Sequence, residues 1–357
     1  MPKKVVVGMS GGVDSSVAAF LLKKAGYDVV GVTMQIWQDE DEFRLEAEGG
    51  CCGLSAVEDA RRVAQVIGIP YYVMNFKDVF KEKVMDYFAD EYLHARTPNP
   101  CIACNRFVKW EALLKRSLDI GADYIATGHY ARVKKLENGR FAICNSETAE
   151  KDQTYALYAL TQEQLAHTLM PVGEYKKPEI RQIAKEAGLP VASKADSQEI
   201  CFVPDNDYAG FIKDYTGVSM PEGNFVSVSG EVLGRHKGLC NYTIGQRRGL
   251  NLPMGRRVFV KALNTKTNEV VIAENEDMFT KEVKMNDICY MGSENLTDGE
   301  EFKGKIRYGH KGEMCTAVRT GEDEITCTFK EPVRAATPGQ AMVLYRDEYI
   351  ALGGTII

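Results

Sequence analysis

Apolar residues along the first 130 positions recur in two alternating rhythms. Short continuous runs, as in "KKVVVGM", "DVVGVTM", "IPYYVMNF" and "DYIATG", have the length and β-branched content of buried strands. Between them lie stretches with apolar residues three and four apart, the spacing of one helix face. These are "VDSSVAAFLLKKAG", "SAVEDARRVAQVIG", "VFKEKVMDYFADEYLHAR" and "RFVKWEALLKRSLDIG". Gly26 and Gly68 stop the first two, and Ser55 with Glu58 reads as a capping box for the second. Repeated β-α units predict a parallel sheet with helices on both faces, and such sheets bind ligands beyond the carboxyl ends of their strands. From about 150 to 190 the pattern is helical, with a capping box at "TQEQ" and a helix over "KPEIRQIAKEAG". After about 205, short Val, Thr, Tyr and Phe runs alternate with Gly, Asn and Asp, which reads as antiparallel β. The expected fold is an α/β parallel-sheet domain over 1–205 with its helical part near 150–200, a central β domain over 206–280, and a C-terminal β-barrel over 281–357.

Composition narrows the class. The 357 residues carry 45% hydrophobic and 26% charged side chains, as an ordinary globular protein does. No apolar run approaches a membrane span, and the N-terminus lacks a secretory pattern, so a cytoplasmic chain is expected. Ten cysteines in that setting argue for catalysis or metal binding at close spacings rather than a disulfide framework. Cys144, Cys240, Cys289, Cys315 and Cys327 lie in strand-like runs and read as small buried apolar residues. Residues 39–50, "DEDEFRLEAEGG", carry six acids and read as a solvated loop. Net charge is −6, yet residues 232–268 contain Arg235, Lys237, Arg247, Arg248, Arg256, Arg257, Lys261 and Lys266 and no carboxylate. That stretch is a candidate polyanion-binding surface.

Two local motifs carry chemistry. "GMSGGVDSS", Gly8 to Ser16, lies between the first strand and the first helix. Glycines there allow a tight turn, and backbone N–H groups at a helix start suit a phosphate. It matches neither the Walker loop nor the dinucleotide loop. "TPNPCIACNRFVKW", residues 97–110, places Cys101 and Cys104 at the spacing of a metal, redox or nucleophile pair.

The glycine loop resembles the Ser-Gly-Gly-x-Asp-Ser loop of the ATP pyrophosphatase superfamily, whose members split ATP between its α and β phosphates. The resemblance implies ATP contacts from Gly8, Met9, Ser10, Gly11, Gly12, Val13, Asp14, Ser15, Met34 and Gly128, with Asp14 suited to Mg²⁺. A second resemblance covers nearly the whole length. "ARTPNPCIACNRFVKW", "ATGHYAR", "KDQ" (Lys151 to Gln153), "DSQEICFVP" (Asp196 to Pro204), "YTIGQRRGL", "IRY" and "ATPGQAMVLY" stand in the order found in the tRNA-specific 2-thiouridylases. It implies ATP-dependent 2-thiolation of the wobble uridine of tRNA. Adenylation of the C2 oxygen makes it a leaving group, and sulfur from a cysteine persulfide replaces it, releasing AMP and pyrophosphate. Cys201 would carry the persulfide and Cys104 would release its sulfur by forming a disulfide. Asn99, Pro100, Cys101, His129, Lys151, Asp152, Gln153, Arg307, Tyr308 and Gln340 match positions that contact tRNA. The implied partners are tRNA and a sulfur donor, either a cysteine desulfurase or a sulfur-relay protein, and the chain is expected to be monomeric.

Cys101 departs from the family pattern, which commonly has Asp there. Cys101, Cys104 and Cys201 together could ligate an iron–sulfur cluster, an alternative route to the same product. A zinc site of Cys51, Cys52, Cys101 and Cys104 is a further alternative that would consume the catalytic thiol. An amide-forming synthetase of the same superfamily is a competing reading, but no amidase pattern is evident. A non-catalytic RNA-binding module is the third reading, and the intact loop opposes it.

Overall fold

A computed structural model describes residues 1–36, 54–148, 151–195, 200–203 and 205–357. The acidic loop 39–50 and Cys51 and Cys52, with the zinc site that would use them, lie outside the described residues. So do Asp196 to Glu199 and Pro204 of the "DSQEICFVP" motif. The chain falls into two compact units. One comprises Met1–Val84, Cys101–Asn206 and Glu348–Ala351, the other Met85–Pro100, Asp207–Asp347 and Leu352–Ile357.

The first unit is built on a parallel sheet in the order β3-β2-β1-β4-β7. Its strands are β1 (Lys4–Gly8), β2 (Asp28–Gln35), β3 (Tyr71–Asn75), β4 (Tyr124–Ala126) and β7 (Thr168–Leu169). The central strand β1 is the most apolar, and Val5, Val6 and Val7 are fully buried. This is the signature of a strand covered on both faces. The first helix, α1 (Val13–Lys24), lays Val17, Ala18 and Leu22 into the same core as Val5 and Val7. Gly26 follows it with φ of 89°. Helix Leu54–Ile67 begins one residue before Ser55, so Ser55 sits inside the first turn and does not cap it, a correction to the capping-box reading. Glu58 instead pairs with Arg61 at 2.5 Å. The capping box at Thr161 is formed in full, with Gln164.

Three features were not legible as periodicity. The fourth helical segment starts at Pro100, six residues before Arg106, with Pro100–Ala103 leading into wider π-type turns over Cys104–Leu113 and then Leu114–Asp119. The Cys-x-x-Cys therefore lies on a helix. A hairpin of β5 (Ala131–Lys135) and β6 (Phe141–Asn145) follows β4, and Cys144 pairs with Tyr349. A helix over Tyr208–Thr216 opens the long segment Asp207–Asp347 of the second unit. Asp207 accepts at its N-terminus and Gly217 is left-handed at its end, both readable cap signals.

Apart from the helix Tyr87–Leu93 and short 3₁₀ turns, the rest of the second unit is built on β-strands. A four-stranded sheet runs β10 (Phe259–Asn264), β11 (Glu269–Ala273), β8 (Gly223–Ser227), β9 (Val232–His236). Its β11–β8 pairing is parallel, so the expectation of purely antiparallel pairing fails there. Phe225, Val260, Val270 and Ile272 form its core. Six strands, β12 (Phe279–Tyr290), β13 (Glu300–Lys305), β14 (Glu313–Gly321), β15 (Glu324–Arg334), β16 (Ala341–Arg346) and β17 (Tyr349–Ile356), run in the order β12-β15-β14-β13-β16-β17. β12 pairs with both β15 and β17, which closes the ring. Closure removes the open edges that would invite pairing with other chains. Cys144, Cys240, Cys315 and Cys327 are buried as expected; Cys289 is only half-buried, and Cys240 lies in a short 3₁₀ turn.

Ala95 has φ of 56°, in the left-handed region that glycine favours, where the helix Tyr87–Leu93 ends. An L side chain there costs roughly 1–2 kcal/mol. Ala95→Gly should therefore raise the melting temperature by a few degrees, less whatever the added flexibility of the unfolded chain takes back. Calorimetry checks it, and an unchanged or lowered melting temperature contradicts the strain.

Candidate active site

The glycine loop joins β1 to α1 at the carboxyl end of the sheet. Gly11 has φ of 69°, and a Cβ there would stand 2.4 Å from the Ala56 carbonyl oxygen. No other residue fits without moving helix Leu54–Ile67. Gly128, just past β4, lies against the start of α1, where a Cβ would meet the Ser15 nitrogen at 2.5 Å. Gly12 is the N-cap of α1 and supplies no side chain, so among the described residues the first-turn N–H groups have no side-chain cap. The sequence thus leaves open an anion cradle at the positive end of a 12-residue helix. The serines brace it. Ser15 Oγ accepts from the Ser10 nitrogen at 3.2 Å, and Ser16 Oγ donates to the Gly12 carbonyl at 2.7 Å. Met9 is buried, and its carbonyl accepts from Thr33 Oγ1 at 2.6 Å, which ties the loop to β2 one residue before Met34.

Two lysines reach this loop that the sequence reading missed. Lys177 Nζ donates to both carboxylate oxygens of Asp14, at 2.7 and 2.9 Å, and Tyr130 OH donates to Asp14 Oδ1 at 2.7 Å. Lys194 Nζ donates to the Gly11 carbonyl at 3.2 Å and to Asp59 at 2.7 Å. Both come from the helical segment after residue 170, too far along the chain for any local motif to connect them to the loop.

Cys104 is partly exposed at the head of its π-type turns, and Cys101, one turn before, is exposed. The same helix binds the turn that follows β4. Asn105 is buried and donates to the Ala156 carbonyl at 2.9 Å, while Lys109 Nζ donates to Asn105 Oδ1 at 2.9 Å and lies 3.5 Å from His129 Nε2. Lysine can only donate, so Nε2 accepts, and the Nδ1 proton goes to Thr127 Oγ1 at 2.7 Å. Trp110 lies beside the imidazole, with ring centroids 5.6 Å apart. Desolvation first, and the Lys109 charge second, hold the His129 pKa well below 6.5. Asn105 and Lys109 are parts of this arrangement that their place in "CNRFVKW" could have suggested.

Cys201 is half-buried on a turn in which the Val203 nitrogen bonds the Ile200 carbonyl at 2.9 Å, and Phe202 anchors that turn edge-on to Phe80. Among the described residues, no three His, Cys, Asp or Glu side chains come together to hold a metal ion. Cys101, Cys104 and Cys201 are not gathered into a cluster site.

Other expected contact residues divide by what their side chains already do. Asp152 accepts from the Ser146 and Thr154 nitrogens, both at 3.1 Å, and Gln153 Oε1 accepts from the Tyr130 nitrogen at 2.9 Å. They brace the backbone beside Gly128. Lys151 is part-exposed next to them. In the second unit, Gln340 Nε2 donates to the Thr97 and Pro98 carbonyls at 2.9 and 3.2 Å, so it holds the backbone just before Asn99 and Pro100. Arg307 donates to the Arg334 carbonyl at 2.7 Å, and Tyr308 is 51% exposed. Arg247, Arg256 and Arg257 line a cleft of about 480 Å³ floored by Leu250, Leu252, Pro253 and Val258. Glu222 and Glu274, just outside the basic stretch, pair with Arg235 and Arg256, whereas Arg247, Arg248 and Arg257 have no carboxylate within 4 Å among the described residues.

The chain matches the tRNA methyl transferase HUP domain over residues 3–205, the tRNA methyl transferase PRC-barrel domain over 209–274 and the aminomethyltransferase beta-barrel domain over 280–357. It is 64% identical over 355 residues to the tRNA-specific 2-thiouridylase MnmA of Lachnoclostridium phytofermentans, covering 99% of each chain. It is 55% identical to the protein of the same name from Clostridioides difficile, covering 100% of this chain and 98% of that one. The chain belongs to the tRNA-specific 2-thiouridylase family. Among solved structures, a 4-thiouridine synthetase–RNA complex with bound ATP is similar at 20% identity over 57% of this chain and 46% of that one, with a TM-score of 0.37. That likeness is too slight to carry an argument. For a thiouridylase, the cradle and the half-exposed Cys104 and Cys201 lie within one compact unit.

The state of His129 can be checked. As pH falls, the unfolded chain takes up the imidazole proton near 6.5 while the folded chain resists it, so stability present above that value is lost below it. His129→Gln should lose less thermal stability than the parent between about pH 7.5 and about pH 5.5. Equal losses would place the acid sensitivity elsewhere.

Proposed function

We propose that this chain is a tRNA-uridine 2-sulfurtransferase that activates its substrate with ATP at the Gly8–Ser15 loop. The single observation that carries the reading is the uncapped start of α1, walled by Gly11 and Gly128 where no Cβ fits. Such a cradle suits a polyphosphate. Mg²⁺ fits Asp14, whose partly exposed carboxylate stands beside the cradle and could neutralise phosphate charge through the metal.

In this reading the uridine C2 oxygen attacks the α-phosphorus, and the bond to pyrophosphate breaks. The terminal sulfur of a Cys201 persulfide then forms a bond to C2, and AMP leaves with the oxygen. The Cys104 thiolate attacks the inner sulfur of Cys201 and breaks the sulfur–sulfur bond of the persulfide. The transferred sulfur is thereby reduced, and the two cysteines are oxidised to a disulfide that an external thiol reductant reopens. His129, neutral and locked, cannot supply a proton near neutral pH, so its role here is to shape the site beside Gly128. The cluster alternative needs three gathered thiols, and the described residues do not gather them. The persulfide route needs only two.

The wobble base must leave the anticodon stack for its C2 to be reached. Asn99, Pro100 and Cys101 would receive it, on a backbone that Gln340 clamps. Lys151, Arg307 and Tyr308 would add tRNA contacts. Arg247, Arg248 and Arg257 would grip phosphates, which set register without reading sequence. The sulfur donor is a cysteine desulfurase or a relay protein that hands a persulfide to Cys201.

Incubation with ATP, a labelled persulfide donor and unmodified tRNA should yield AMP and 2-thiouridine. Cys104→Ser and Cys201→Ser should each lower thiolation by at least about a thousandfold while ATP binding persists; turnover near the parent rate in either would end the assignment. Gly11→Val should instead abolish AMP formation. Arg247→Ala with Arg248→Ala should weaken tRNA binding at low salt, by an amount that shrinks as salt rises, with ATP affinity unchanged. A filter-binding titration that shows no loss at low salt would make the basic stretch a solvated face.

A further inference from the structure

Lys177 occupies a position that helix energetics disfavour. It is the first residue of helix Lys177–Glu186, where the positive end of the dipole repels a cation, and its side chain is only 12% exposed. Asp14 offsets that cost by taking the ammonium on both carboxylate oxygens. The simplest role would be a fastener between this helix and α1. That fastening already exists, because Ile180 and Ala184 pack into the same core as Val17 and Ala18. The ion pair is therefore not needed for docking, yet it sits at the second residue of α1, beside the uncapped N–H groups.

We propose that Lys177 is a phosphate-binding residue for the nucleotide, held on Asp14 until the nucleotide arrives. The inference rests on the loop being the ATP site. Asp14 cannot give the same two oxygens to a metal ion and to Lys177. A polyphosphate seated on α1 offers Lys177 a denser negative charge than one carboxylate, so the ammonium moves to the phosphate and frees Asp14 for the divalent cation. Tyr130, buried and bonded to Asp14 Oδ1, keeps the carboxylate in place during the exchange. In the empty enzyme, Lys177 masks Asp14, so divalent cation and nucleotide bind together rather than the cation first.

The exchange predicts two effects of opposite sign from one substitution. In Lys177→Met, Mn²⁺ alone, followed by its electron paramagnetic resonance signal, should bind at least about threefold more tightly than to the parent chain, because its competitor is gone. Mg²⁺–ATP, measured by calorimetry, should bind about tenfold to a hundredfold more weakly, the range for losing a charge-assisted hydrogen bond. Lys177→Arg should recover most of the nucleotide affinity. A simple fastener would lower the melting temperature without this split. Parent-like Mg²⁺–ATP affinity in Lys177→Met overturns the phosphate role, and unchanged Mn²⁺ affinity overturns the masking. A parent chain that binds no ATP refutes the reading of the loop and this proposal with it, whereas a parent that binds ATP, with Gly11→Val that does not, isolates any failure to Lys177.

Discussion

The start of α1 can tolerate no added carbon on two sides, and the first unit is arranged around that exclusion. Gly11 presses on the carbonyl of Ala56 and Gly128 presses on the nitrogen of Ser15. Helix Leu54–Ile67 and the turn after β4 therefore converge on one helix terminus, with backbone against backbone at Gly11 and at Gly128. Backbone N–H groups held this way are fixed partial charges that need no reorganisation when an anion arrives. The buried valines of β1 make the arrangement stiff, because the strand that feeds the loop is covered on both faces.

From that terminus a series of polar contacts runs to the thiol-bearing helix. Gly128 is followed by His129, His129 by its contacts with Thr127 and Lys109, and Lys109 by Asn105, next to Cys104. The turn that packs on the start of α1 and the Cys104 helix are thus joined by one set of contacts. Gln153 serves the same turn through the Tyr130 nitrogen, while Asp152 ties the Ser146 and Thr154 nitrogens together.

The second unit uses a different logic. There the "TPGQ" turn before β16 bonds the backbone of Thr97 and Pro98 through Gln340 and through the Pro338 carbonyl. A closed barrel is a rigid base for such a clamp. The strained Ala95 at the preceding helix end shows that the chain direction into this segment is imposed by its surroundings rather than by its own preference.

Much of this was written locally and could be read locally. A continuous apolar run marked β1 because burial on both faces leaves no polar positions, whereas the similar run of β3 lies at the sheet edge with Tyr72 and Val73 exposed. The glycine loop announced a tight turn and a close approach because only glycine permits both at Gly11. The ordered motifs identified the family, and a local reading placed Thr161 and Gln164 as a cap because that contact spans three residues. What the linear text withheld were pairings between distant residues. Lys177 meets Asp14 across 163 positions and Lys194 meets Gly11 across 183, and no periodicity encodes such a contact. Ser55 looked like a cap because the sequence shows its neighbours but not that the helix already starts at Leu54. Basic residues 232–268 looked free of carboxylates because Glu222 and Glu274 stand outside the stretch and return to it only through the fold. The three thiols could be imagined around a cluster from their identities alone, and their grouping was a matter of tertiary distance. Local sequence determines which backbone shapes and chemical groups are available; the folded chain decides which charges meet, because Coulombic partners are chosen by separation in space.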